Sequence, residues 1–233
     1  MKRSINNLLG FTIKGTDGEI GKVEEFYFDD RTSTIRYMVI RTGGWFSENK
    51  VLIPPEVFQK AEWESEILSV DLTQEKIKNS PDIDTDKPVS RQQEELMRKY
   101  YSWPGYYGYG MYGYWGLGKW GYPAVRGIEE EKEVQKMNAT EHAYDNSHLR
   151  STHEVTGYDI HATDGDIGKV DDFIIDDTTW EISFLIVGTG NWFSKKKVVF
   201  SPEKIKEINW TTGAVIIDTT IANVKSSPEF DPE

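Results

Sequence analysis

An internal repeat constrains this chain more than any other feature. The octapeptide T-D-G-E-I-G-K-V at Thr16 to Val23 returns as T-D-G-D-I-G-K-V at Thr163 to Val170, with seven of eight positions identical. The offset of 147 residues then holds without a gap: Asp29-Asp30 against Asp176-Asp177, Trp45-Phe46-Ser47 against Trp192-Phe193-Ser194, Trp63 against Trp210, and Ser80-Pro81 against Ser227-Pro228. One module is present twice. In a chain of 233 residues this predicts two small domains of about 75 to 80 residues each rather than one large core. The expected organisation is a first copy over 1–81, a linking region over 82–150 and a second copy over 151–233.

Each copy reads as β structure. Phe11 to Lys14 predicts a short strand, and Thr16-Asp17-Gly18 supplies a turn in which Asp can bond its own backbone and Gly can take positive φ. The next strand carries Ile20, Val23, Phe26 and Phe28, with Gly21 inside it; a glycine there predicts a bulge or tight bend where another backbone comes close. Asp29-Asp30-Arg31-Thr32 turns the chain into a β-branched and aromatic run, Ile35 to Arg41. After the Gly43-Gly44-Trp45-Phe46 turn come Lys50 to Ile53, then Pro54-Pro55, which forbid a continuing central strand and suit a single helical turn. Lys60 to Trp63 and Ile67 to Asp71 predict a last hairpin, and Thr73 to Asn79 a short helix ended by Ser80-Pro81.

These motifs carry a resemblance. Each copy resembles a PRC-barrel domain, the module shared by the cytoplasmic domain of the photosynthetic reaction centre H subunit and the C-terminal domain of a ribosome-maturation factor. The resemblance covers roughly residues 4–81 and 151–228 and rests on the D-G-x-I-G-K-V turn, the Asp-Asp turn, the Trp-Phe hairpin and the proline after the fourth strand. It implies a mainly β fold, two small six-stranded antiparallel barrels, and adaptor roles rather than a reaction. Two homologous domains on one chain can pack as a pseudo-dimer, and the expectation is an interface that involves the Trp45-Phe46 and Trp192-Phe193 hairpins.

The linking region has no counterpart in the repeat. Ser90-Arg91-Gln92-Gln93 has capping-box spacing and opens an expected helix with Leu96, Met97, Tyr100 and Tyr101 on one face, docked on a barrel. From Trp103 to Tyr122 nine aromatics and seven glycines share twenty residues. That composition defeats regular structure while offering stacking faces. Trp103, Tyr106, Tyr107, Tyr109, Tyr112, Tyr114, Trp115 and Trp120 therefore form either an adhesive arm for a partner or for self-association, or a flexible linker. Ile128 to Lys136 reads as a charged, marginal helix.

Composition narrows the chemistry. The chain holds no cysteine, which removes thiolate catalysis, disulfides and zinc-thiolate sites and fits a reducing, cytoplasmic setting. No apolar run approaches the roughly 18 to 20 residues of a membrane span, and Met1-Lys2-Arg3-Ser4 is not followed by a signal core. Net charge is −12, divided as −2, −2 and −8 over 1–81, 82–150 and 151–233 (11 basic against 13 acidic residues, 9 against 11, and 7 against 15). An acidic chain disfavours binding to phosphate backbones. The basic-aromatic cluster Trp192, Phe193, Lys195, Lys196, Lys197 is the one stretch that could touch RNA or an acidic protein. Trp45 and Trp192 suit either lids over a small core or exposed anchors.

No catalytic constellation stands out. His142, His148, His153 and His161 match no zinc spacing, and the carboxylate pairs Glu24-Glu25, Asp29-Asp30, Asp171-Asp172 and Asp176-Asp177 sit in and beside turns, where Asp is favoured for backbone reasons. Gly43-Gly44 and Gly188-Thr189-Gly190 lack a phosphate-loop frame. The expectation is a non-enzymatic protein-binding or assembly module without metal or cofactor. A role in membrane-associated electron or proton transfer, as the H-subunit resemblance implies, and a ribosome-associated role stand beside it.

Overall fold

Turn chemistry and apolar alternation place the strands close to where the sequence calls for them. The computed structural model describes residues 1–43, 49–81, 96–97, 99–101, 149–189, 197–209 and 211–227. In chain order the first repeat supplies β1 (Lys2–Ser4), β2 (Thr12–Lys14), β3 (Glu19–Asp29), β4 (Thr34–Thr42), β5 (Lys50–Ile53), β6 (Phe58–Glu62), β7 (Ile67–Val70) and helix α1 (Gln74–Lys78). The second supplies β8 (Leu149–Ser151), the one-turn helix α2 (Thr152–Val155), β9 (Asp159–Ala162), β10 (Gly165–Asp176), β11 (Ile182–Gly188), β12 (Lys197–Phe200), β13 (Ile205–Asn209), β14 (Ala214–Ile217) and α3 (Ile221–Lys225). The protein is mainly β, with two sheets of seven strands. No helix among the described residues is long and apolar enough to cross a membrane.

One sheet follows the order β5-β4-β3-β2-β7-β6 and the other β12-β11-β10-β9-β14-β13. Two features correct the expected six-stranded antiparallel barrel. First, β2 pairs with β7, and β9 with β14, in parallel. The cause is the proline shared by both repeats: Pro55 and its counterpart Pro202 each open a 3-10 turn, Pro55–Val57 and Pro202–Lys204, that interrupts the strand without reversing it, so β5 and β6 run in the same sense and β7 returns alongside β2. Second, the hydrogen-bonded path is open, with β5 and β6 at its ends and a seventh strand, β8, added on β3.

That seventh strand comes from the other repeat. β3 is eleven residues long but β2, at three, covers only its first half through Thr12↔Lys22 and Lys14↔Glu19. The bare remainder of that edge takes β8, with Tyr27↔Ser151, Phe28↔Arg150 and Asp29↔Leu149. Reciprocally β1 lies on β10, with Lys2↔Asp176, Arg3↔Ile175 and Ser4↔Ile174. Every partner in one set is the other displaced by the repeat offset. Each repeat has given its first strand to its twin, which leaves neither long strand with an uncovered edge.

Where the two repeats meet, equivalent positions meet each other. Thr34 bridges Glu181, positions related by the offset, and Ile35 N donates to Trp180 O at 2.8 Å while Ile182 N donates to Ser33 O at 2.7 Å. A pseudo-two-fold axis thus passes through the β4 and β11 edges, as an isologous interface requires. The core follows the same logic. Ile13, Ile20, Phe26, Met38, Ile40, Leu52 and Leu68 are at most 1% exposed in the first repeat. In β3 the in-and-out alternation stops at Phe26, and Phe26 through Asp29 are all buried, because the second repeat covers the face that would otherwise be wet.

The repeated T-D-G motif ties the turn to the distant helix. Asp17 accepts from Gln74 N at 2.8 Å, and Asp164 from Ile221 N at 2.8 Å, while Thr73 and Thr220 cap the same helices. Asp17→Ala and Asp164→Ala should each cost about 1 kcal/mol by thermal unfolding; an unchanged melting temperature in both would remove this role. Leu96–Met97 and Lys99–Tyr101 are helical, and Met97 and Tyr101 are buried while Leu96 is 53% exposed. Leu96 therefore leaves the expected apolar face, as the residue beside Met97 on a 3.6-residue period points elsewhere.

Candidate binding surface at the seam between the repeats

Of the residues the sequence singled out for partner binding, the described part of the protein holds Lys197 alone. It opens β12, and its amine pairs with Asp171 at 2.6 Å with 53% of the side chain exposed, the behaviour of a solvated surface ion pair. Trp45, Phe46, Trp192, Phe193, Lys195, Lys196, Trp103, Tyr106, Tyr107, Tyr109, Tyr112, Tyr114, Trp115 and Trp120 lie outside the described residues, as does the expected helix over Ile128 to Lys136. The interface expected at the Trp-Phe hairpins therefore falls outside the described residues, among which the repeats meet through the exchanged strands and the β4 and β11 edges. His161 contacts Asp166 at 2.5 Å, and no group of three possible metal ligands occurs among the described residues.

The acidic pairs divide by task. Asp29 Oδ1 accepts from Arg31 N and Thr32 N at 2.9 and 3.0 Å, and Asp176 Oδ1 from Thr178 N and Thr179 N at 2.9 and 3.2 Å. These are turn caps. Glu25 and Asp172, 8% and 6% exposed and so buried like Asp29 at 3%, differ in that each takes a serine from the other repeat. Ser151 Oγ, on the exchanged β8, donates to Glu25 at 2.5 Å, and Ser4 Oγ, on β1, donates to Asp172 at 2.5 Å. Next to each serine an arginine crosses the seam: Arg150 reaches Asp30 at 2.6 Å and Arg3 reaches Asp177 at 3.1 Å. An Arg-Ser dipeptide therefore fastens each exchanged strand.

Aromatic rings complete the seam. Phe28 packs on Phe173 with centroids 5.5 Å apart, Phe58 stacks on Trp180 at 5.2 Å with 27° between planes, and the Arg3 guanidinium sits 4.1 Å over Trp63. Beside them opens a groove of about 460 Å³ whose lining includes Thr34, Ile35, Arg36, Phe58, Lys60 and Trp180. Its walls come from both repeats.

A family model for the PRC-barrel domain matches residues 2–78 and again 149–224. The chain belongs to the PRC-barrel family. A search of curated proteins returned no match. The matched spans open on β1 and β8, so in this tandem PRC-barrel protein the strand each repeat donates belongs to that repeat's own domain sequence.

The buried Glu25 and Asp172 carboxyls give the PRC-barrel pair a pH signature. Burial pushes Glu25 and Asp172 up, and the serine hydrogen bonds only partly oppose it. A folded state that raises a carboxyl's pKa binds the proton more tightly than the unfolded chain does. The penalty for the buried charge is thus absent below the ordinary values of 4.5 and 3.8 and reaches full size as pH rises through the folded values. Glu24 has the opposite sign. The hydrogen bond from Arg41 holds its carboxyl low, with Lys50 adding to it, so its contribution is present at neutral pH and is lost as pH falls through the lowered value. The Glu25→Gln, Asp172→Asn double variant should therefore be more stable than the parent at pH 7, with the gain vanishing as pH approaches 4. Urea unfolding across that range measures it; a gain independent of pH would contradict the assignment.

Proposed function

We propose that the chain is a non-enzymatic protein-binding or assembly module in which two PRC-barrel repeats act as one platform. The observation that carries this reading is the reciprocal strand exchange. It ties the repeats together through backbone ladders, part-buried ion pairs and ring contacts, and so fixes two related surfaces relative to one another. Fixed spacing between surfaces is what an assembly platform supplies, because a partner that touches both meets no cost of ordering them. A chain without cysteine suits a cytoplasmic setting for that role.

Capture of tagged protein from gently cross-linked lysate of its own host tests the proposal. A discrete protein partner, recovered in proportion to the bait, is the expected result. Recovery of nothing above background would remove the reading. Deleting residues 103–122 then assigns the contact: loss of the partner places it on the aromatic arm, and retention places it on the sheets.

A further inference from the structure

The seam groove has the form of a slot for one more strand. Four consecutive residues of β6, Phe58 to Ala61, and three of β4, Thr34 to Arg36, line it. Successive side chains on a strand point to opposite faces, so a surface that touches a consecutive run faces the strand's edge. β6 is hydrogen-bonded along one side only among the described strands, and its register with β7 skips Gln59. The groove thus runs along the open β6 edge, opposite a stretch of β4 whose own edge already pairs with the second repeat at Thr34 and Ile35, and the Asp177 to Trp180 turn forms part of its wall.

The pseudo-equivalent place on the other side of the two-fold axis has different chemistry. At the repeat offset Ile205 stands for Phe58, Ser33 for Trp180, Ser183 for Arg36 and Glu207 for Lys60. The backbone has been kept, since Ser33 and Trp180 hold φ of +53° and +59°. A tryptophan in that left-handed conformation is rare. Here its ring stacks on Phe58 and forms a wall of the groove. The cations lining the groove are Arg36 and Lys60, whose amine makes a solvent-exposed pair with Glu62 at 3.1 Å; of its carboxylates, Asp177 is held by Arg3 at 3.1 Å and Glu56 is exposed.

We propose that this groove binds an extended, acidic segment of a partner protein, which adds as a strand to the β6 edge. Its backbone would pair with β6, a carboxylate side chain would meet Arg36 and Lys60, and an apolar side chain would lie on the Phe58 and Trp180 rings. Main-chain pairing supplies affinity and the alternate side chains supply selectivity. The surface is continuous with the seam, where the fold already accepts a foreign strand on the edges of β3 and β10. This inference rests on the binding-module reading and names its site.

A displayed library of random nine-residue peptides, panned against the full-length protein, tests it. Enriched peptides, synthesised with a fluorophore, are then titrated with the parent, Gln59→Pro and Lys60→Glu by anisotropy. Both substitutions fall on exposed residues, and Gln59 is the residue that the register of β6 with β7 skips. The expected result is enrichment of alternating apolar and acidic sequences, with affinity at least tenfold weaker in each variant. Peptides whose binding ignores both variants would overturn the groove while leaving the binding-module reading intact. Failure to enrich any peptide would overturn the groove as a peptide slot, as would stronger binding there by a fluorescent single-stranded oligonucleotide than by any peptide.

Discussion

Truncating Arg150 to alanine is expected to remove about 3 kcal/mol or more of folding stability. Arg150 Nε donates to Asp30 Oδ2 at 2.6 Å, with the two side chains only 14% and 13% exposed. Removing the guanidinium leaves a carboxylate in the first repeat without the partner that the second repeat supplied. Breaking a largely buried pair from one side costs far more than the pair's net worth, because the remaining charge keeps its desolvation penalty. The damage therefore appears in both repeats, and urea unfolding should remain a single transition with an earlier midpoint. Arg3 to Asp177 is the same contact at the other end of the axis, but it is longer at 3.1 Å and Arg3 is 29% exposed. Arg3→Ala should cost less, about 1 to 2 kcal/mol. A larger loss from Arg3→Ala than from Arg150→Ala would contradict this ordering.

The second large effect belongs to a pair of glycines in the octapeptide repeat. A Cβ on Gly21 would lie 2.1 Å from the Arg41 carbonyl oxygen, and one on Gly168 would lie 2.1 Å from the Gly188 carbonyl oxygen. Both obstacles are backbone of the paired strand, so nothing can rotate aside. The ladder itself must open. Gly21→Ala and Gly168→Ala should each cost about 3 kcal/mol or more, and lower the thermal midpoint by several degrees. Gly10 is the control: it takes φ +83° but has nothing within 4 Å of a built Cβ, so Gly10→Ala should cost only about 1 to 2 kcal/mol of backbone strain. Equal losses at the three positions would show that the close approach is not what the octapeptide's second glycine protects.

These effects also show what the sequence could reveal. Gly21 announced a bulge at a close backbone approach, and the structure shows both: the β2–β3 register skips Ile20, between Glu19 and Gly21, and further bulges follow between Val23 and Glu25 and between Tyr27 and Phe28. Turns, caps and the break at Pro54-Pro55 were legible because their causes are local: an Asx bond, a positive φ, a missing N–H. The strand exchange was not. Lys2-Arg3-Ser4 and Leu149-Arg150-Ser151 are short extended tripeptides whichever sheet they join, and the choice depends on an edge of β3 or β10 that β2 or β9 is too short to cover. A signal did exist, since Arg3-Ser4 recurs as Arg150-Ser151 at the repeat offset and faces acidic residues at Glu25, Asp30, Asp172 and Asp177. The burial of Glu25 and Asp172 was hidden for the same reason, and so was the aromatic wall of the groove. Phe58 and Trp180 are 122 positions apart in the chain, and Trp180 on its own reads as one more turn residue.

Which sheet the first strand joins decides whether the two repeats are interlocked. A chain free of cysteine lets one engineered disulfide decide it. Lys2 and Asp176 are directly paired, within reach of a disulfide's span; the position Lys2 would face if β1 stayed on its own repeat is Asp29, the counterpart of Asp176. Lys2→Cys with Asp176→Cys should oxidise to an intramolecular bridge, and Lys2→Cys with Asp29→Cys should not. The reverse pattern, or a bridge that forms only between two molecules, would contradict exchange within the chain.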